Sequence, residues 1–252
     1  MELIGILQAR CSSTRLPGKV LLPILGKPML LHQIERLQQS KRLSKIVVAT
    51  SNFSDDDSLA NLCLINGIDC YRGDLNDVLD RFYRAALKYN AQHIVRLTGD
   101  CPLADSAVID HVIDEYFKAS VDYASNALEP SYPDGLDVEI FNMAALEHTW
   151  INARLVSERE HVTPFIHKHP EIFTLLTVKH TEDLSAFRWT VDNPEDFAFV
   201  SSIYETLYVQ NQQFNMQDIL QFLGENPELV KLNEHLVRND GYQKSIAKDK
   251  IL

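Results

Sequence analysis

Cysteine is scarce in this chain: four in 252 residues (Cys11, Cys63, Cys70, Cys101), with no Cys-x-x-Cys pair and no zinc-ligand spacing. That argues against a disulfide scaffold or a structural zinc site. It points to reduced thiols in a cytoplasm, with Cys63 and Cys70 as packing residues. No apolar run is long enough to span a bilayer, and the start of the chain lacks the basic opening and unbroken apolar stretch of a signal peptide. Glycine is sparse too, nine in all, and none forms a P-loop: Lys19 of Gly18-Lys19 is followed by Val20, not by Ser or Thr. His167 and His169 flank Lys168 at i, i+2, a spacing that does not share a helix face, so they read as surface histidines rather than metal ligands. There is no internal repeat and no low-complexity segment.

Positive charge is also in short supply, with a net charge of −11. What there is gathers at the N-terminus. Residues 1–45 hold eight Lys or Arg against two Glu, a local balance of +6 that leaves −17 for the rest. A cationic segment on an acidic chain predicts a local site for a small anion, not a nucleic-acid surface. The segment has a pattern. An apolar run, Leu3-Ile4-Gly5-Ile6-Leu7, is followed by Gln8-Ala9-Arg10-Cys11-Ser12-Ser13-Thr14-Arg15-Leu16-Pro17-Gly18-Lys19. Three cations, three hydroxyls and a Pro-Gly turn after a strand suit a polyphosphate: arginine offers forked donors, lysine a mobile charge, and glycine lets backbone N–H groups approach.

The first half alternates short apolar runs with amphipathic stretches. Strands are expected at Leu3–Leu7, Ile46–Thr50, Ile68–Tyr71 and His93–Leu97. Helices are expected from Pro28, after Asp55-Asp56-Asp57, and over Asp77–Tyr89. This alternation predicts an α/β fold, Rossmann-like, with an open and mostly parallel sheet. In such sheets ligands bind outside the carboxyl ends of the strands. Gln8-Ala9-Arg10, Ser51-Asn52, Arg72-Gly73-Asp74 and Thr98-Gly99-Asp100 all fall there. The pattern changes over 122–180, read as an inserted α+β lobe with helices near Met143–Asn152 and Ser157–His167 and a strand at Thr174–Val178. A returning strand, Arg188–Val191, would carry Asp192 to its end, and helices would follow from Pro194. The nucleotide-binding domain is thus expected over 1–121 and 181–238, with a frayed polar tail over 239–252.

Asp100, at a strand end before a proline turn, and Asp192 could together hold Mg2+ beside phosphates, since magnesium takes one or two carboxylates and completes its shell with phosphate and water. Helix capping accounts for the neighbouring Asp105 or Ser106 and for Asn193. Ser157 with Glu160 fits a capping box.

Three stretches together resemble the cytidylyltransferases that activate acidic sugars, the acylneuraminate and 3-deoxy-manno-octulosonate enzymes. They are Gln8-Ala9-Arg10 with Ser13 through Lys19, Leu97-Thr98-Gly99-Asp100-Cys101-Pro102-Leu103, and Thr190-Val191-Asp192. Asp77-Val78-Leu79-Asp80-Arg81 and Arg159-Glu160-His161-Val162-Thr163 are similar to the spore-coat polysaccharide branch. The resemblance implies a nucleotidyltransferase-type sheet and transfer of a nucleoside monophosphate, from CTP by preference, to a sugar or sugar-like acid with release of pyrophosphate. It implies catalytic roles for Arg10, Arg15, Lys19 and Asp100, and Mg2+ on Asp100 and Asp192. Nucleotide contacts would come from Leu7, Gln8, Ala9, Arg10, Ser13, Lys19, Arg72 and Thr98, and acceptor contacts from Arg159 and His161. The octulosonate enzymes carry glutamine where this chain has Thr98, so one hydroxyl would read the base here with fewer fixed hydrogen bonds. The family pairs as homodimers through the segment that is 122–180 here. Tyr132, Val138, Ile140, Phe141, Trp150 and Phe165 exceed what a small lobe buries alone, which suits that pairing. Two other readings are a glycosyltransferase, which commonly uses an Asp-x-Asp pair that Asp100-Cys101-Pro102 lacks, and a non-catalytic nucleotide-binding subunit.

Overall fold

In a computed structural model, residues 2–251 are described. Their sheet has seven strands. β1 (Leu3–Gln8) is central, and every residue from Leu3 to Leu7 is buried. β2 and β3 (Pro23–Ile24 and Lys27–Pro28) form a small separate ribbon. β4 (Lys45–Ser51) and β5 (Asp69–Gly73) extend the sheet to one side of β1, and β6 (His93–Thr98) pairs with it on the other, all parallel. β7 (Tyr123–Ser125), β8 (Glu139–Asn142) and β9 (Leu175–Thr177) complete the order β5-β4-β1-β6-β8-β7-β9, with β8 alone running antiparallel. The four parallel strands read from the sequence fall within two residues of their observed ends. The inner strands β1 and β4 are near-continuous apolar runs, as strands buried on both faces are, whereas the edge strand β5 is half-buried throughout.

The sheet is covered on both sides because its side chains alternate. From β1, Ile4 and Ile6 enter one core and Leu3 and Leu7 the other. The Ile4 face is covered by α3 (Val78–Lys88), α5 (Met143–Asn152) and α7 (Pro164–Lys168), and α6 (Val156–His161) packs on α3. The Leu7 face is covered by α1 (Met29–Leu37), α2 (Asp57–Ile65), α4 (Ser106–Ala119), α8 (Pro194–Ile203) and α9 (Met216–Glu225). α3 starts where Asp77 accepts the Asp80 N–H at 2.9 Å, and it buries Val78, Leu79, Phe82 and Ala86 at helical spacing. Truncating fully buried Phe82 to alanine would cost about 3–5 kcal/mol. Asp105 caps α4, accepting Ala107 N–H at 2.8 Å.

Several expectations are corrected. Segment 122–180 does not stand apart: it gives β7, β8 and β9 to the main sheet, and α5 and α6 pack on α3. Tyr132, Val138, Ile140, Phe141 and Phe165 are each at most 8% exposed within the chain, and Trp150 stacks on Tyr83. These residues therefore ask for no partner. Arg188–Val191 is extended but forms a single bridge, Arg188 to Asp134, instead of a strand, because it crosses the loop after β6 rather than running beside β6. Gly135 (φ +109°) makes that crossing possible, since a Cβ there would lie 2.7 Å from the Thr190 nitrogen. The helix expected over 157–167 is split at Val162, whose φ is +71°. The capping carboxylate of α6 is Glu158, which accepts the Leu155 N–H at 3.1 Å, not Glu160. The tail is not frayed. Residues Asp240–Ala247 form α10, which lies against α6, and Asp249 accepts the Ser157 hydroxyl at 2.6 Å.

Candidate active site

The carboxyl ends of β1 and β6 open into a cavity of about 730 Å³. Gly99 lets the two strand ends meet: its N–H donates to Gln8 O at 2.7 Å, and a Cβ there would lie 2.9 Å from that of Ala9. The basic loop forms one wall, closed by Ser13 and Gly18 N–H groups donating to Cys11 O, each at 2.9 Å. Lys19 begins a short 3-10 turn and is 8% exposed. Its Nζ lies 3.2 Å from Asp100 Oδ2 and 3.0 Å from Asp192 Oδ1, and donates to Val191 O at 2.7 Å. Those carboxylates raise the Lys19 pKa against the lowering effect of burial. Asp100 is held down to about 2: burial opposes this, but Lys19 and the Thr98 hydroxyl outweigh it.

Asp192 is surrounded by cations, with Arg15 Nη2 at 2.8 Å and Arg188 Nη2 at 3.2 Å in addition to Lys19. Arg188 is itself locked to Asp134 and Asp196. Arg10 lines the cavity with its side chain 40% exposed, and its one ion pair among the described residues is Glu160 at 3.9 Å. Gln8, Ala9, Ser13 and Thr98 line the same space. The Thr98 hydroxyl lies 3.3 Å from Cys101 Sγ.

Three expected site residues lie elsewhere. Leu7, expected to contribute backbone groups, lies inside the sheet between Val48 of β4 and Leu97 of β6, with its side chain buried in the core. Arg72 donates to the carbonyls of Ser51 and Phe53, both at 2.8 Å, and pairs with Asp57, so it ties the β4 and β5 ends together. Arg159 grips Asp77 with two nitrogens, at 3.0 and 2.6 Å, and donates to Trp150 O, which joins α6 to α3. His161 does line the cavity, where burial and Arg96 push it down to about 4, so it is neutral at pH 7. His167, expected on the surface, is half-buried and also lines the cavity.

The sequence reading missed a cluster on the cavity floor. Glu139 accepts the hydroxyls of Tyr123 (2.7 Å) and Thr163 (2.5 Å) and pairs with Arg96. A carboxylate between Val138 and Ile140 in an apolar strand was its one sequence signal. Asp137, beside Arg238, is pushed up to about 7 by burial. The C-terminal segment was missed as well. Asp240 of α10 meets Arg15 at 3.0 Å, Ser245 meets His161 at 3.1 Å, and Tyr242 packs edge-on to His161.

A mostly parallel sheet with a basic loop, Asp100 after β6 and Asp192 after the crossing segment, all converging on one cavity, fits a nucleotidyltransferase. Comparison with known proteins narrows the class. The cytidylyltransferase family profile matches residues 4–234, and the chain belongs to that family; it is an enzyme of nucleotidyl transfer. It is 32% identical over 242 residues to the spore coat polysaccharide biosynthesis protein SpsF of Bacillus subtilis, covering 92% of this chain and 98% of that one. A cytidylyltransferase structure from Leptospira borgpetersenii superposes with a TM-score of 0.86 at 34% identity, over 91% of this chain and 97% of that one. The 3-deoxy-manno-octulosonate cytidylyltransferase of Geobacter sulfurreducens is 38% identical over 115 residues, 45% of this chain and 44% of that one.

Proposed function

We propose that this enzyme transfers CMP from CTP to a hydroxyl of a sugar acid, releasing pyrophosphate, in the making of a surface polysaccharide or glycoconjugate. The observation that carries this reading is the Lys19 ammonium lying between Asp100 and Asp192, at the mouth of the basic loop. A gap between two carboxylates that already accepts one cation fits a divalent ion. No cluster of three or more metal-ligating side chains occurs among the described residues, and a two-carboxylate site completed by phosphate and water suits Mg2+. Bound there, Mg2+ would neutralise charge on the phosphates. Lys19 and Arg15 would then turn from the carboxylates to the triphosphate, where their charges stabilise the departing pyrophosphate. Arg10 holds phosphate oxygens from the same loop. Gln8, Ala9 and Thr98 border the nucleoside. The acceptor lies toward His161 and His167, whose neutral imidazoles exchange hydrogen bonds with hydroxyls without repelling a cation.

The reading extends to a homodimer and to the cytoplasm, where the four free thiols stay reduced. The test is pyrophosphate release from each of the four triphosphates with 3-deoxy-manno-octulosonate and N-acylneuraminate as acceptors, with and without Mg2+. Acceptor-dependent, Mg2+-dependent release from CTP is expected. Turnover of a nucleotide-sugar with no triphosphate would favour a glycosyltransferase instead, and binding without any turnover a non-catalytic subunit.

A further inference from the structure

The peptide of Cys11 closes the basic loop, because its carbonyl receives both the Ser13 and the Gly18 N–H groups. Its own N–H is donated out of the loop, to Asp56 Oδ1 at 2.7 Å. Asp56 stands in the 3-10 turn Ser54–Asp56, just before α2. Its other oxygen accepts the Ser51 N–H at 3.1 Å and the Ser51 hydroxyl. The carboxylate is 1% exposed and lies outside the cavity lining. Helix capping does not explain it: Asp56 occupies the N-cap position of α2, yet its side chain makes no cap hydrogen bond and turns instead to the end of β4 and the start of the loop.

A buried carboxylate is costly unless its lone pairs are filled, and here they are filled by three donors. Its charge also lies beneath a loop that must receive an anion, where electrostatics alone would disfavour it. What it supplies in return is geometry. One group fixes the Cys11 peptide against the end of β4, and the Cys11 carbonyl in turn fixes Ser13 and Gly18. We propose that Asp56 is a positioning residue for nucleotidyl transfer, setting the 11–18 loop in the conformation that receives the β- and γ-phosphates. This rests on the reading of that loop as the triphosphate site.

The experiment compares CTP and CMP binding, with Mg2+, in the wild type, Asp56→Asn and Ser51→Ala. Asn keeps one carbonyl acceptor and turns an amide toward donors. Asp56→Asn is expected to weaken CTP about tenfold or more and CMP by less than about twofold, in line with loss of oriented donors to the terminal phosphates. Ser51→Ala, which leaves the bond to Cys11 intact, should stay within about twofold for both ligands. Alkylation of the Cys11 thiol should speed up in Asp56→Asn, because burial and the Asp56 charge now hold that thiol up at about 11, and CTP should slow it. A folded Asp56→Asn with the wild-type ratio of CTP to CMP affinity overturns the proposal. If that variant does not fold, amide exchange in the wild type decides. Slow exchange at Cys11, Ser13 and Gly18 supports the proposal, and unprotected exchange at Cys11 overturns it. A wild type that binds CTP no better than CMP would instead refute the triphosphate loop itself.

Discussion

Lys19→Met tests whether the ammonium and a divalent cation share one place. The substitution keeps the bulk of the stem but removes the charge between Asp100 and Asp192 and the donor to Val191 O. Removing one partner of a buried ion pair costs about 3–5 kcal/mol. Here the Asp100 and Asp192 side chains are 28% and 21% exposed, and Arg15 and Arg188 still hold Asp192. Solvent and these arginines absorb part of the loss, so about 2 kcal/mol is expected without metal, or about 4–8 °C in Tm for a chain of this size. Mg2+ should recover it, because a ligand that binds only the native state stabilises it. The Mg2+-induced rise in Tm should therefore be larger in the variant than in the wild type. The acid limb should move as well. The Asp100 pKa lies below its unfolded value, so its contribution is present above about pH 4 and is lost as pH falls toward 2. Without Lys19, burial prevails, and the loss begins at higher pH. The Lys19 contribution has the opposite sign: its raised pKa makes it present below 10.5 and lost above. Kinetically, kcat/KM for CTP should fall about 10²- to 10³-fold, on the scale of one lost transition-state donor. An equal Mg2+ shift in both proteins, or kcat/KM within a factor of three of wild type, would refute the reasoning.

Asp100→Asn and Asp192→Asn should each abolish Mg2+-dependent pyrophosphate release while the fold persists by circular dichroism, since a metal carboxylate is worth several kcal/mol at the transition state; Mg2+-dependent turnover near wild type would remove that residue from the metal site. Asp240→Asn should tighten CTP about two- to fivefold by calorimetry, because an exposed pair no longer competes for Arg15. Thr98→Gln should alter the ranking of CTP, UTP and GTP by kcat/KM, whereas Arg72→Gln should leave it unchanged and lower Tm slightly, its guanidinium being spent on Ser51 and Phe53 carbonyls.

The parallel strands and the phosphate loop were legible because each is local. A strand buried on both faces is apolar along its whole length, and a loop that receives phosphates must carry its own cations and turn residues. Arg159 and Arg72 were misread because arginine at a strand end or in a site-like stretch looks the same whether it faces a ligand or a carbonyl. Only the fold brings Asp77 to Arg159 and the Ser51 carbonyl to Arg72. Val162 shows the same limit. A β-branched residue at positive φ is unfavourable locally, so its own identity argues against a break there. Tertiary structure imposes it: Val162 is fully buried, and the break lets Thr163 turn its hydroxyl to Glu139. Pro164 was the available signal, since it opens the next helix as readily as it ends the one before.

The C-terminal segment is polar yet ordered, and the contacts that hold it explain why. A polar tail with few apolar residues gains little from hydrophobic burial, which is the term that periodicity detects. This segment is held instead by paired polar groups at separated points. Arg238 holds Asp137 and the Tyr132 carbonyl, Asp240 holds Arg15, Ser245 meets Glu160 and His161, and Asp249 receives Ser157. Each partner lies more than 80 residues away in sequence, so no local window contains both halves of any contact. The matched family region, residues 4–234, takes in the phosphate loop and His161, and α10 lies beyond it. The wall that α10 adds rests on its own polar and aromatic contacts, Asp240 with Arg15 and Tyr242 edge-on to His161.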